Sequence, residues 1–318
     1  MTAWDVFNGD ADGICALIQL RLDQPRDAQL VTGVKRDINL LSRVDAGAED
    51  QVTALDISLD KNREGLLRLL EAGAQVLYLD HHFAGDIPEH AGLTCRINTQ
   101  PNVCTSLLAH REVSGRWPLW ALVGTAGDNL DTPARELAKK VGTSEADFDR
   151  LRRLGICVNY NAYGASLDDL YFTPEALYQK LVRYESPLEF LAQDAATFER
   201  LATGYDDDLG RAAAASMLYD QPHAQVKLLP DAAWARRVSG VYGNALANEA
   251  PQRAHAVVTD RGDTLLVSVR APLERKAGAD EVCRQFDTGG GRAAAAGINA
   301  LPRSELDRFI ETFQSHYS

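Results

Sequence analysis

The chain has 318 residues, 45% hydrophobic and 25% charged, enough for one large domain or two ordinary ones and without the bias of long disorder. A net charge of −12 argues against nonspecific grip on long duplex nucleic acid, where basic surface supplies most of the affinity. No basic-then-apolar leader opens the sequence, no run approaches a membrane span, and the five cysteines include no C-x-x-C pair, so a cytoplasmic protein with reduced thiols is expected.

The first third alternates short apolar runs with helical patterns. Trp4-Asp5-Val6-Phe7 reads as a strand before a helix beginning near Gly13, with Ile14, Leu17, Ile18 and Leu20 as its stripe. Residues 29–34 and 51–55 read as further strands. An amphipathic helix over 61–72 then returns to a buried strand over 74–79. Strands separated by helices imply βαβ units and a mainly parallel sheet, in which ligands collect outside the C-terminal strand ends.

Acids recur at those ends. Asp10 and Asp12 follow the first strand in Asn8-Gly9-Asp10-Ala11-Asp12-Gly13, and Asp56 follows the third. Asp80-His81-His82 closes the fourth, where alternation sends neighbouring side chains to opposite sides. Asp128 stands in Gly124-Thr125-Ala126-Gly127-Asp128-Asn129. Taken singly, Asp12-Gly13 reads as a turn and Asp56-Ile57-Ser58 as a helix N-cap. Five acids and two histidines converging on one crevice argue instead for a divalent cation site. Carboxylates with an imidazole and no thiolate favour manganese or magnesium over zinc. The Asp10-x-Asp12 spacing suits two metals, with Asp56 as their bridge.

From Pro133 to about Tyr219 the pattern is mostly helical, and a connection between domains is expected over 205–225. That division gives a catalytic unit with helical connector over 1–205 and a smaller α/β unit over 225–318. The second unit reads as a helix near 240–246 and strands at 254–258 and 264–269. From residue 224 onward 12 Lys/Arg face 11 Asp/Glu, which leaves a net −13 for the first 223 residues. An acidic half that collects cations beside a neutral, arginine-rich half suits a phosphate-bearing ligand, although ordinary surface solvation gives the same pattern. Gly289-Gly290-Gly291-Arg292 is the second signal: the glycines suit a nest of backbone N–H groups for an anion, and Arg292 adds a fork for phosphate. Arg270 ends a strand upstream. A flexible turn with two surface arginines is the plainer alternative. The segment lacks the Lys-Ser/Thr ending of a nucleotide P-loop.

In order, Asp10-Ala11-Asp12-Gly13, Asp56, Asp80-His81-His82, Asp128, Arg270 and Gly289-Gly290-Gly291-Arg292 resemble the DHH phosphoesterase family, in its branch with the DHH-associated C-terminal domain. The resemblance spans nearly the whole chain. It implies hydrolysis of phosphodiester or phosphoanhydride bonds with two Mn2+ ions, Mg2+ being a weaker substitute, at a site between the two domains. Asp10, Asp12, Asp56, His81 and Asp128 would be ligands, His82 with Asp80 would act on the scissile phosphate, and Asn8, Arg270, Gly289, Gly290, Gly291 and Arg292 would hold the substrate. Two positions depart from the family pattern. Val6 stands where many members carry a histidine, and Arg292 replaces a histidine after the glycines.

The expected substrate is a short linear nucleic acid such as a dinucleotide, since no appended module could track a long strand. An exopolyphosphatase or nucleoside-phosphate hydrolase, a cyclic-dinucleotide phosphodiesterase and a non-catalytic nucleotide-binding protein are the alternatives. No membrane partner is expected, and a homodimer is the one oligomer entertained.

Overall fold

The computed structural model describes residues 1–318, which divide into two units, Met1–Gly204 and Tyr205–Ser318. The first begins with β1 (Ala3–Phe7), α1 (Ala11–Asp23), β2 (Gln29–Val31), β3 (Gln51–Leu55), α2 (Leu59–Glu71), β4 (Gln75–Asp80) and β5 (Leu93–Ile97). The strands form one sheet in the order β2-β1-β3-β4-β5, and every pairing is parallel. Such a sheet carries helices on its faces, which is why β1, β3 and β4 read as near-continuous apolar runs. Val6, Val52, Ala54, Val76 and Tyr78 pack with Leu66 and Leu69 of α2 into one core. On the opposite face of the sheet Asp5 of β1 and Arg21 of α1 form a buried bidentate ion pair, Nε to Oδ2 at 2.6 Å, that also reaches Thr53.

The strand order reverses direction between β1 and β3, the switch point at which a crevice opens at the C-terminal ends. Seven helices complete the unit: α3 (Thr105–Glu112), α4 (Pro118–Gly127), α5 (Asp131–Lys140), α6 (Glu145–Asn161), α7 (Pro174–Leu181), α8 (Pro187–Gln193) and α9 (Ala195–Ala213). The boundary between the units falls inside α9.

The second unit continues with β6 (Ser216–Gln221), β7 (Ala224–Leu229), α10 (Ala233–Glu249), β8 (Ala254–Asp260), β9 (Thr264–Arg270), α11 (Ala279–Cys283), β10 (Gly289–Arg292), β11 (Ala295–Pro302) and α12 (Leu306–Tyr317). Its six strands run β10-β11-β9-β8-β7-β6, parallel between β7 and β8 and antiparallel elsewhere. Val226, Ala256, Val258, Val267 and Val269 face a core closed by Phe309 and Phe313 of α12.

The α/β class and the parallel first sheet match the sequence reading. Three details do not. The first helix starts at Ala11, two residues before Gly13, because Asp10 caps it. The strand expected over 29–34 stops at Val31. The glycine run is an edge strand and not a turn. The stretch 205–225 is filled by the end of α9, through Asp206-Asp207-Asp208 to Ala213, and by β6 from Ser216. No helix is long and apolar enough to cross a membrane, and all five cysteines are free.

Candidate metal centre and phosphate-binding face

Asp10 leaves β1 in extended backbone and caps α1, its Oδ1 accepting from the amides of Asp12 at 3.0 Å and Gly13 at 3.2 Å. This cap turns the chain so that Asp12, one position into the helix, is buried under the crevice. Asp12 is held by α3, whose first amides donate to it: Thr105 N to Oδ2 and Ser106 N to Oδ1, both at 2.7 Å. A carboxylate at a helix N-terminus is favoured by the unpaired amides there and by the helix dipole. Asp56 sits just past β3 with φ 59°, a left-handed conformation that costs a non-glycine residue of order 1 kcal/mol or more. Its amide bonds Leu79 O at 3.0 Å, and Thr105 Oγ1 donates to its Oδ1 at 3.0 Å.

His81 follows β4. Its Nδ1 lies 3.0 Å from the Val103 carbonyl, which can only accept, so Nδ1 carries the proton and Nε2 presents a lone pair. Around that Nε2 stand Asp56 Oδ1 at 3.4 Å, Asp12 Oδ2 at 3.8 Å and Asp128 Oδ2 at 3.8 Å. Asp128 caps the C-terminus of α4. Four elements thus bring three carboxylates around one imidazole nitrogen, and the possible ligands fall into two groups that share His81, Asp12–His81–Asp128 and Asp56–His81–His82. Burial pushes the Asp56 carboxyl well above the usual range, and the charges of Asp12, Asp10, Asp128 and Asp80 add to it. Burial followed by Asp12 and Asp10 lifts Asp128 to about 8, against the opposing pull of Lys35 and His82. Mutual repulsion of this kind is what a divalent cation relieves, and all-oxygen donors with one imidazole suit a hard to borderline ion. The residues fit such an ion.

His82 stands beside His81, its Nδ1 3.9 Å from Asp56 Oδ1. Its Nδ1–H donates to Asp80 Oδ1 at 2.7 Å, and this bond first, against the effect of burial, raises the imidazole pKa. Asp80 is fully buried and its Oδ2 has no partner, while His82 is 46% exposed. A buried carboxylate fixing an exposed imidazole is a geometry for general acid or base work.

Asn8, expected to contact substrate, is spent inside the protein. Its Oδ1 accepts from Asp10 N at 3.2 Å and its Nδ2 donates to Lys35 O at 3.3 Å. Asp10 is not in either group of donors around His81, but its carboxyl meets that of Asp56 while its Oδ2 faces Lys35 Nζ at 2.5 Å. Burial would raise this carboxyl, yet the Lys35 charge and hydrogen bond hold it below the usual range. Sequence reasoning missed Lys35, Thr105, Ser106 and Asn159.

In the second unit Arg270, Ala295 and Arg292 are cross-strand neighbours on β9, β11 and β10, and so lie on one face of the sheet. Two residues along, Ser268, Gly297 and Gly290 form the next row of that face. The result is a floor of Ala295, Gly297 and Gly290 with almost no side chain, bounded by two arginines. A Cβ at Gly290 would meet only open space. Gly289 and Gly291 have other reasons. A Cβ at Gly289 would stand 1.8 Å from Cys283 O, and one at Gly291 2.5 Å from Ala296 Cα. The expected nest of amides is therefore replaced by a paired strand with a bare surface. Arg270 is anchored, its Nε donating to Asn244 Oδ1 at 2.7 Å and Nη1 to Ser268 Oγ at 3.0 Å. Arg292 is exposed.

No protein-family model and no curated protein matches the sequence. Solved structures do. The exonuclease RecJ bound to manganese superposes with a TM-score of 0.63 at 19% identity, over 99% of this chain and 90% of the other. The DHH domain of a member of the s1p family of ribosomal proteins gives 0.65 at 13%, over 99% and 86%. The pGpG-specific phosphodiesterase PggH from Vibrio cholerae gives 0.60 at 15%, over 99% and 100%. With the ordered acids and histidines at the strand ends, these likenesses assign the chain the fold of the DHH phosphoesterases.

Proposed function

We propose that the protein is a metal-dependent phosphodiesterase that hydrolyses short linear nucleic acids, dinucleotides above all, to mononucleotides. The observation that carries this reading is the meeting of Asp12, Asp56 and Asp128 around His81 Nε2, next to the Asp80–His82 pair. A divalent cation bound there, manganese by preference, supplies Lewis acidity toward a phosphoryl oxygen. Asp12, Asp56, Asp128 and His81 hold it, and the α3 amides and the Val103 carbonyl keep Asp12 and His81 in register. His82 holds a proton on Nδ1 against Asp80, which leaves Nε2 to exchange a proton with the oxygen at the scissile bond.

A floor without side chains between Arg270 and Arg292 suits a flat base, with the exposed Arg292 free to fork onto a phosphate or a guanine edge. Polyphosphate would use the arginines but gain nothing from the flat floor. The RecJ and PggH likenesses agree with phosphodiester chemistry, and PggH is named for a linear dinucleotide.

The test compares Mn2+-dependent turnover of pGpG, a long single strand, polyphosphate and bis-p-nitrophenyl phosphate. The dinucleotide should have the highest kcat/KM. Arg292→Ala should weaken its KM by the equivalent of about 1–3 kcal/mol while sparing the small reporter, which is too short to need a second contact. Polyphosphate emerging as the best substrate would end the dinucleotide reading. Equal losses on both esters would show that Arg292 has no role in holding the distal end.

A further inference from the structure

The segment that follows β4 exposes two residues in succession, His82 at 46% and Phe83 at 74%, between the buried Asp80 and the buried Ala84. Of the large apolar side chains at the surface only the terminal Met1 is more open than Phe83. A lone exposed apolar residue is ordinary. This one is next in the chain to the imidazole held by Asp80, and its backbone is braced.

Ser58, two residues beyond Asp56, donates from Oγ to the Phe83 carbonyl at 2.9 Å. Arg63 of α2 donates from Nη2 to the Ala84 carbonyl at 3.1 Å, and Ala84 packs into the apolar core of the first unit. Gly85 follows with φ 61°, and a Cβ there would stand 2.9 Å from Arg63 Nη2 and 3.1 Å from Asp60 Oδ1. Residues 83–85 are thus clamped to the start of α2 and anchored in the core. A loose loop would fold its phenyl ring out of water, whereas this one holds the ring open and forgoes the gain of burial. A flat ligand that covers the ring recovers that gain at no cost in ordering the backbone.

We propose that Phe83 is a stacking platform for one of the two bases that flank the scissile phosphate. The inference rests on the phosphodiesterase reading and adds to it a selective contact in the first unit. Every base has an aromatic face, so the platform takes all of them and favours a nucleotide over polyphosphate without reading sequence.

The wild type, Phe83→Ala, Phe83→Leu and Phe83→Trp are titrated calorimetrically in Mn2+ with a pGpG analogue whose bridging linkage is a non-hydrolysable methylene phosphonate. Two versions of the analogue, each lacking one base, are titrated beside it. At 74% exposure the ring can be removed without opening the core, so all four proteins should fold and bind Mn2+ alike. Phe83→Ala should weaken the full analogue by about 5- to 150-fold, the range of one stacked base. Phe83→Trp should restore the affinity and Phe83→Leu should not. One abasic version should bind the wild type and Phe83→Ala equally, which identifies the stacked base, and the other should keep the difference. Unchanged affinity in Phe83→Ala would overturn the proposal, whether or not the variant alters self-association. Full rescue by leucine, or a Phe83 effect that survives on both abasic versions, would overturn it too. Hydrolysis of pGpG with no dependence on Phe83 would sink the platform and leave the function standing. Phe83-dependent binding with no hydrolysis of any phosphoester would do the reverse.

Discussion

At the scale of single residues, the two adjacent histidines have separate tasks. His81 is fixed by the Val103 carbonyl with its lone pair toward three carboxylates, and His82 is fixed by Asp80 with its other nitrogen toward solvent. Replacing each should therefore fail differently. His82→Ala should keep the bound ion and lower kcat by about 10²–10⁴, the usual contribution of a positioned acid or base. His81→Ala should lose the ion first, with activity following. Calorimetric titration with Mn2+ beside steady-state rates separates the two, and loss of metal in His82→Ala would make it a ligand after all. The acids were legible in sequence because each stands at the end of an apolar run. Lys35 stands after β2 in the same way, but a rule looking for carboxylates passed over it. Its partner Asn159 comes from a helix 124 positions away, a pairing that spacing cannot reveal. Asn8 neighbours Asp10 in sequence, and that closeness lets it accept from the Asp10 amide while it donates to the Lys35 carbonyl.

At the scale of elements, the site depends on how closely α1, α4 and α6 approach. A Cβ at Gly127 would stand 2.4 Å from the Ala11 Cβ and 2.8 Å from Gly155 O, and one at Gly155 would stand 2.3 Å from Val123 O. These glycines let α4 settle beside α1, which brings Asp128 to the same point as Asp12. Gly155→Ala should cost about 1–3 kcal/mol of stability, as overpacked contacts do, and should weaken Mn2+ binding because α4 carries Asp128. Denaturant titration and calorimetry on one preparation check both effects. Undiminished metal affinity in a destabilised variant would show that Asp128 is positioned by its own loop. The parallel strands were legible because buried apolar runs of five or six residues lie between helical patterns. β5 was not: its residues alternate between half-buried and exposed, as an edge strand allows, and Thr94-Cys95-Arg96 carries no apolar run. The glycine segment misled for a related reason. Glycine in a strand looks like a turn until the residue pressing on it is known, here Cys283 of α11.

At the scale of the whole molecule, each unit encloses its own apolar cluster, one built on the parallel sheet and one on the mixed sheet with α12. Every residue around His81 Nε2 belongs to the first unit, and both arginines of the bare floor belong to the second. A ligand that binds only the native form stabilises what it binds, by about 2.7 kcal/mol at a hundredfold excess over Kd. For a unit of this size that is about 5–11 °C in Tm. Adding Mn2+ to chelator-treated protein should therefore raise the unfolding transition of residues 1–204 by that amount. Hydrogen exchange should slow in the amides of β1, β3, β4 and the first turn of α3, and change little in β7–β9. The acids explain the direction, because without a cation Asp12, Asp56 and Asp128 repel one another in the folded state and are relieved on unfolding. Equal slowing throughout both sheets would mean that the two cores unfold as one cooperative body. No slowing at α3 would mean that its amides, rather than a cation, already satisfy Asp12.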